Sequence, residues 1–172
     1  IVLTGASSGI GRALALALAR QRARLALAAR DTEMLADVAD ECRALGAEAV
    51  VVPTDVTDPS AAAFLVETAA DAFGGIDALV NNAGISMMAR FDEVTDLSIF
   101  ETLMRVNYLG CVYLTHEALP HLTEAVRLNP ALPDAHYNLG VVLAARGQPD
   151  VALAALRRAL GEGGRGLERQ RH

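Results

Sequence analysis

The sequence predicts an open α/β fold, in which a parallel sheet carries helices on both faces, followed by a segment that is helical only. Over residues 1–122, short apolar runs alternate with amphipathic stretches, which is the pattern of crossover units in a parallel sheet. Beyond residue 122 only helical periodicity recurs. Hydrophobic residues make up 52% of the 172 residues, which is enough to fill a core.

The predicted elements alternate along the chain. Four apolar runs predict strands at 1–4, 25–29, 49–53 and 78–81. Apolar residues at helical spacing predict helices after the first glycine-rich turn, around 34–42, at 61–73 and from about 97 to 119. We therefore expect about four strands, each followed by a helix.

The residues after about 122 predict a second unit. Helical periodicity at 123–128, 135–146 and 150–160 is interrupted by Asn129-Pro130 and by Pro149, and proline is tolerated where a helix begins. The Gly- and Arg-rich residues 161–172 are expected to form a flexible tail. The predicted organisation is therefore a domain at 1–122, a helical segment at 123–160 and the tail.

The charge distribution argues against nucleic acid as a partner. Residues 1–122 carry 8 Arg and 16 acidic residues, and the remainder carries 7 Arg and 5 acidic residues. The excess of acidic residues in the first part disfavours a surface that binds phosphate backbones.

The remaining composition favours a cytoplasmic protein. No stretch is long and apolar enough to span a membrane, and the N-terminus lacks the charged residues of a signal peptide. Cys42 and Cys111 lack metal-ligand spacing and are expected to be buried, reduced thiols. We predict no metal site, because the histidines form no grouping at ligand spacing.

A glycine-rich turn joins the first predicted strand to the first predicted helix. Its sequence is Thr4-Gly5-Ala6-Ser7-Ser8-Gly9-Ile10-Gly11, with the spacing G-x-x-x-G-x-G. Glycine permits a tight turn and a close approach of the backbone to a pyrophosphate, which then meets the helix N-terminus. Alone, this turn is also compatible with a loop that binds no ligand.

Three further motifs come after the turn in order. They are Asp55-Val56 after the third strand, Asn81-Asn82-Ala83-Gly84 at the end of the fourth, and Asn107 within Met104-Arg105-Val106-Asn107-Tyr108-Leu109-Gly110. The ordered set resembles the short-chain dehydrogenase/reductase family over residues 1 to about 122, most closely its carbonyl and hydroxysteroid reductases. The resemblance implies a truncated Rossmann-type, doubly wound sheet. It also implies hydride transfer between NADP(H) and a small carbonyl or alcohol substrate.

The resemblance assigns cofactor binding to four segments of the chain. In the family the glycine loop holds the cofactor phosphates, the Asp55-type residue contacts adenine, and the Asn-Asn-Ala-Gly segment flanks the cofactor. The expected cofactor-binding residues are Gly5, Ser7, Ser8, Gly9, Ile10, Gly11, Arg30, Asp55, Val56, Asn82, Ala83 and Gly84.

The end of the second predicted strand favours NADP over NAD. An acidic residue there would hydrogen-bond the ribose hydroxyls of NAD and repel a 2′-phosphate. The sequence has Ala29 followed by Arg30, whose guanidinium can hold a phosphate bidentately. The alternative for Arg30 is a solvated charge that pairs with Asp31 or Glu33.

Most of the catalytic residues that the resemblance implies are missing. Family chemistry uses a Ser and a Tyr followed four residues later by a Lys, which lowers the pKa of the Tyr. The sequence contains no lysine, and a helical segment stands where the strand with the Ser is expected. Asn107 is the only catalytic family position that survives, and the alternative for it is a helix residue that bonds locally. We therefore expect a protein that binds the cofactor without ordinary turnover.

The helical segment resembles one tetratricopeptide repeat. The resemblance rests on Pro133-Asp134-Ala135-His136-Tyr137-Asn138-Leu139-Gly140 and on the small residues Ala152 and Ala159. An ordinary amphipathic hairpin is the alternative. Two further functions therefore stay open besides the reductase: an interaction module that binds a peptide at these helices, and a chimeric remnant without activity.

A sheet that ends after its fourth strand is expected to leave apolar surface uncovered. In the family a fifth strand comes next, and without it the fourth strand lies at an edge. Apolar residues of the long helix, among them Leu109, Tyr113 and Leu114, would also lose the neighbours that cover them. We therefore expect self-association.

Overall fold

Residues 1–128 fold into a four-stranded parallel sheet with helices on both faces. The structure is a computed structural model, and these are the residues that it describes. The strands are β1 (Val2–Thr4), β2 (Arg24–Ala29), β3 (Glu48–Pro53) and β4 (Leu79–Val80), in the order β3-β2-β1-β4. All three strand pairs are parallel. The predicted Rossmann-type architecture with four strands is confirmed.

Helices connect the strands and follow the last of them. They are α1 (Gly9–Ala19), α2 (Thr32–Ala44), α3 (Pro59–Phe73), α4 (Ser98–Met104) and α5 (Gly110–Leu128). A short 3-10 turn lies at Phe91–Glu93, and a π-helical segment at Arg105–Leu109 joins α4 to α5. Because the strands are parallel, their carboxyl ends all meet at one edge of the sheet.

Capping side chains explain where α2 and α3 begin. The carboxylate of Asp31 accepts a hydrogen bond from Met34 N at 3.0 Å, in front of α2. Asp58 accepts one from Ser60 N at 2.8 Å, in front of α3. Helix α3 ends at Gly74, which adopts the left-handed conformation with a φ of 76°.

Two hydrophobic clusters pack on the two faces of the sheet. Alternate residues of β2 divide between them: Leu25 and Leu27 belong to the cluster with α1 and α2, whereas Ala26 and Ala28 belong to the cluster with α3 and α5. A strand that is buried on both faces has to be apolar, and β2 is apolar and buried from Leu25 to Ala29, after the exposed Arg24 at its start. The sheet is therefore covered on both sides, as the predicted fold class requires.

The last helical stretch is longer than the sequence predicts. The periodicity predicts helix from about 97 to 119, whereas helical residues run from Ser98 to Leu128, with the π-helical segment within them. Helix α5 therefore passes through the predicted domain boundary near residue 122, and Leu122 is fully buried in the cluster with α3. The boundary itself stays a prediction.

The expectation that Leu114 would lie uncovered is wrong. Leu114 is 1% exposed and lies in the cluster that α3 and α5 share, and Tyr113 packs against the same cluster. Helix α3 supplies the cover, which the sequence pattern of α5 alone does not reveal. Among residues 104–114 the exposed large apolar side chains are instead Met104, Tyr108 and Val112.

The predicted helical hairpin lies mostly outside the described residues. Of the predicted segment 123–160, only 123–128 belongs to the described part, as the end of α5. The predicted tail at 161–172 lies wholly outside it.

The described residues include both cysteines, and their helices can be compared with the length of a membrane span. Within residues 1–128 no helix combines the length and the apolar character that crossing a membrane requires. Cys42 is a buried free thiol, as expected, and Cys111 is also free but only partly buried.

Candidate functional site

A cleft of about 430 Å³ opens at the carboxyl edge of the sheet. Strand β1 lies between β2 and β4, so the connections that leave β1 and β3 run in opposite directions across the sheet. Parallel α/β sheets bind ligands at such a reversal of strand order, because the loops diverge there. The volume falls within the range of about 300–1,000 Å³ that is typical of small-molecule sites.

All twelve predicted cofactor-binding residues line this cleft. They come from the β1–α1 loop, from the ends of β2 and β3, and from the segment after β4. The structure thus brings together Gly5, Ser7, Ser8, Gly9, Ile10, Gly11, Arg30, Asp55, Val56, Asn82, Ala83 and Gly84. Their role in binding stays a prediction.

Six further residues line the cleft that the sequence analysis does not assign to a site. They are Ala28, Ala29, Asp31, Thr54, Ile85 and Val106. Four of them are apolar, and their side chains carry no chemistry that marks a site. The available signal is position, because each lies within two residues of a motif residue or of Arg30 in the sequence.

The hydroxyl of Thr4 ties the end of β1 to the segment after β4. Thr4 is fully buried, and its Oγ1 accepts hydrogen bonds from the backbone N–H of Asn82 at 3.1 Å and of Ala83 at 3.0 Å. The same hydroxyl donates to the carbonyl of Val80 at 3.3 Å. One side chain therefore satisfies two backbone donors where the chain leaves the sheet.

Asn82 completes this tie from the other side. Its Nδ2 donates to the carbonyls of Thr4 at 2.9 Å and Gly5 at 3.2 Å. Gly5 has a φ of +64°, and a Cβ on it would lie 2.8 Å from Ala83 Cα. A Cβ on Gly11 would lie 2.1 Å from the carbonyl oxygen of Gly5. Only glycine fits at both positions, so the wall of the cleft here is built from backbone.

The N-terminus of α1 opens into the cleft and suits an anion. Helix α1 starts at Gly9, and the preceding Ser8 makes no capping hydrogen bond with its side chain. The first turn of α1 contains no acidic residue. Its free N–H groups and the helix dipole therefore attract negative charge, such as that of a phosphate.

The carboxylate of Asp55 is held in its ionised form. It accepts hydrogen bonds from Thr57 N at 2.9 Å and Thr57 Oγ1 at 2.8 Å. These bonds hold the pKa of Asp55 below its ordinary value, and the nearby positive charge of Arg30 adds to the effect. The cleft is therefore lined by one cation, Arg30, and by two carboxylates, of which Asp31 caps α2 and Asp55 bonds to Thr57.

Arg30 takes part in no ion pair among residues 1–128. The alternative of a pair with Asp31 or Glu33 is therefore not what the structure shows. The carboxylate of Asp31 caps α2 instead. The guanidinium is exposed at the mouth of the cleft, with its hydrogen-bond donors available to a ligand.

Asn107 holds the segment after β4. Its Oδ1 accepts a hydrogen bond from Ile85 N at 2.9 Å, and its Nδ2 donates to Ile85 O at 2.8 Å. The alternative that Asn107 bonds locally within its helix is therefore wrong. Asn107 itself does not line the cleft, but Ile85 and Val106 do. It lies in the π-helical segment, and such segments often occur at functional sites.

Family models match the chain in two overlapping parts. A model described as short chain dehydrogenase matches residues 1–127. A model described as tetratricopeptide repeat matches residues 115–165. The overlap, residues 115–127, lies within α5.

The chain is similar to proteins named 11-beta-hydroxysteroid dehydrogenase. The A form from Arachis hypogaea is 43% identical over 124 residues, which cover 72% of this chain and 36% of that protein. The "11-beta-hydroxysteroid dehydrogenase-like 4A" of Arabidopsis thaliana is 42% identical over 123 residues, which cover 71% of this chain and 41% of that protein. The chain therefore spans about a third to two fifths of these relatives.

Solved structures with the same fold contain nicotinamide dinucleotides of both kinds. The alcohol dehydrogenase from Thermococcus sibiricus complexed with 5-hydroxy-NADP has a TM-score of 0.68 and 34% identity, over 72% of this chain and 53% of that one. A metagenomic short-chain oxidoreductase in complex with NADP has a TM-score of 0.67 and 35% identity, over 72% and 56%. The NADH-dependent reductase A1-R′ complexed with NAD has a TM-score of 0.66 and 27% identity, over 76% and 54%.

The tie made by Thr4 predicts a specific loss of stability. Thr4→Val keeps the size of the side chain and removes an acceptor that two part-buried N–H groups share, leaving that of Asn82 with Val80 O and that of Ala83 without this partner. We expect the free energy of unfolding to fall by about 1–3 kcal/mol. Thr54→Val is the matched control, because the hydroxyl of Thr54 is also buried but only donates, to Val52 O at 2.8 Å. Urea unfolding followed by circular dichroism measures both, and equal losses would contradict the assignment.

Proposed function

The chain belongs to the short chain dehydrogenase family over residues 1–127, and on this premise we propose that its cleft binds NADP(H) in preference to NAD(H). One observation carries the preference: Arg30 stands free of ion pairs within residues 1–128 at the end of β2, where Ala29 takes the place of a carboxylate. A carboxylate there would accept hydrogen bonds from the ribose hydroxyls of NAD. A free guanidinium suits the 2′-phosphate of NADP.

The segments around the cleft fit the parts of the cofactor. The backbone wall at Gly5 and Gly11 and the N-terminus of α1 suit the pyrophosphate. The ionised Asp55 offers acceptors for the amino group of adenine. When bound, the cofactor supplies or accepts a hydride. The residues of this chain bind and orient it.

We further propose that this sequence binds the cofactor without ordinary catalysis. The family reaction, hydride transfer between NADP(H) and a carbonyl or alcohol, needs a proton donor whose pKa is lowered by a neighbouring cation. The sequence supplies no lysine. An arginine is no like-for-like substitute, because its planar fork stands on a different stem. Asn107 uses both ends of its amide on Ile85 and so acts as a positioning residue.

The alternative function is a non-catalytic interaction module. The match to the tetratricopeptide repeat over residues 115–165 favours it, since such repeats present helices to partners. A peptide that is captured in a way that depends on Tyr137 or Asn138 would support this alternative. Binding of NADP(H) without a peptide partner supports the first proposal. If the protein binds neither, the remaining alternative is a chimeric remnant without activity.

We also propose that the protein is located in the cytoplasm, where its two free thiols stay reduced.

Reversal of the charge at Arg30 tests the choice of cofactor. We expect the parent chain to bind NADP⁺ about tenfold or more tightly than NAD⁺, because a charge-assisted hydrogen bond contributes about 1.5–3 kcal/mol. Arg30→Asp should reverse the preference. Isothermal titration calorimetry with both cofactors measures it, with Arg20→Asp as a charge-matched control outside the cleft. Equal affinities in the parent chain would contradict the role of Arg30.

Turnover is tested directly by the absorbance of NADPH. With a panel of aldehydes and ketones we expect rates no different from buffer, whereas enzymes commonly reach about 1–1,000 per second. An intact NADPH-dependent reductase on the same panel is the positive control. A rate in the common range that saturates with NADPH would overturn the proposal.

We also propose that the protein self-associates through the helical region from α4 to α5. Met104, Tyr108 and Val112 recur at four-residue spacing and are 55%, 57% and 44% exposed. Light scattering should find a dimer or larger assembly, and Met104→Ser with Tyr108→Ser should shift it toward monomer. Phe64→Ser, at a 58% exposed residue of α3, is the control. A monodisperse parent monomer with a cooperative melt would refute the proposal.

A further inference from the structure

Gly110 brings the start of α5 against the wall of the cleft. Gly110 is buried, and a Cβ on it would lie 2.9 Å from Val56 Cγ2 and 3.0 Å from Val56 O. Cβ atoms do not approach other atoms that closely without a shift of one of them. The φ of Gly110 is −57°, which any residue adopts in a helix. Glycine is disfavoured in helices, so its close approach to Val56 is what requires it here.

Helix α5 is held on both sides of Gly110. Three residues earlier, Asn107 makes two hydrogen bonds to the backbone of Ile85. Four residues later, Leu114 is 1% exposed in the cluster with α3. An added methyl group at residue 110 therefore meets a helix that is anchored before and after it, and the helix cannot retreat without breaking one of these contacts.

The other partner in the contact is a residue of the cleft. Val56 is 8% exposed, lines the cleft and follows Asp55 directly. The segment around it is held by the hydrogen bond from Thr54 N to Ala29 O at 2.9 Å and by the bonds between Asp55 and Thr57. A shift of Val56 therefore changes the wall of the cleft and carries the carboxylate of Asp55 with it.

We propose that Gly110 is a positioning residue for ligand binding: the absence of its side chain sets where Val56 and Asp55 stand in the cleft. The inference rests on the proposed binding of NADP(H). It places the effect at the end of the cleft that holds Asp55 and Arg30, which we assign to adenosine and its 2′-phosphate. Adenosine 2′,5′-bisphosphate, which lacks the nicotinamide half, is therefore the diagnostic probe.

The experiment compares the full-length chain with Gly110→Ala. We expect the affinities for NADP⁺ and for adenosine 2′,5′-bisphosphate to fall by the same factor, about tenfold or more, as calorimetric titration would measure. His116→Ala is the matched control, because His116 lies six residues further along α5, outside the cleft lining, and its side chain is 65% exposed. It should bind both probes as the parent does.

A second variant separates positioning from a general loss of structure. Val56→Ala removes Cγ2, the nearest atom at 2.9 Å, and keeps Val56 Cβ and O at 3.0 Å, so Gly110→Ala should weaken binding less in that background than alone. Where Gly110→Ala alone does not fold, a folded double variant that binds as the Val56→Ala variant does supports the inference, and an unfolded one overturns it. The melting temperature without ligand records the fold of each variant.

The outcomes distinguish this inference from the proposed function. A parent chain that binds neither probe refutes both. A parent that binds, together with a folded Gly110→Ala variant of equal affinity, overturns the role of Gly110 alone. Loss of NADP⁺ affinity with unchanged affinity for adenosine 2′,5′-bisphosphate also overturns it, because the effect would then lie at the other end of the cleft.

Discussion

Where the chain leaves the sheet after β4, two successive backbone N–H groups donate hydrogen bonds to the buried hydroxyl of Thr4. This interaction has to form between the ends of two parallel strands that are 78 residues apart in the chain, so it fixes β1 beside β4. The β1–α1 loop and the segment after β4 are thereby held together, and the cleft lies between them and the end of β2. Without this acceptor the N–H of Ala83 would lose its partner and the N–H of Asn82 would keep only the carbonyl of Val80. The two walls of the cleft would then depend on the hydrogen bonds from the Asn82 side chain to Thr4 and Gly5.

The same arrangement explains why the cleft depends so strongly on glycine. Backbone approaches backbone at Gly5 and Gly11, and a helix approaches the cleft wall at Gly110. At each of these positions the missing side chain allows a close approach, and at Gly5 and Gly11 backbone groups and the N-terminus of α1 therefore face the cleft. A site of this kind is contained within the first part of the chain. Its geometry therefore needs none of the catalytic residues that the family places later.

The sequence predicts the sheet and its motifs well because their signals are local. Alternating apolar runs locate the four strands, and the motifs at the strand ends meet in one cleft because parallel strands end at one edge. The cover of Leu114 could not be predicted, since it depends on α3, which is distant in sequence. The π-helical segment differs from an α-helix by one residue in its hydrogen bonding, which apolar periodicity does not resolve. The lining residues without a prediction are mostly apolar and carry no chemical signal.

Residues 115–127 of α5 lie in both family matches, and a helix is a part of a fold that can tolerate a change from the sequence pattern of one family to that of another. In the interior of a helix each backbone N–H donates to a carbonyl of the same helix. The identity of the residues after 115 therefore does not decide whether the backbone N–H and C=O groups of the sheet have hydrogen-bond partners. A change of family inside the sheet would instead remove the ladder partners of a neighbouring strand. The helix has to keep its buried face, and Ala118 and Leu122 pack in the cluster with α3. The first part of the chain therefore retains a covered sheet and an intact cleft up to the end of α5.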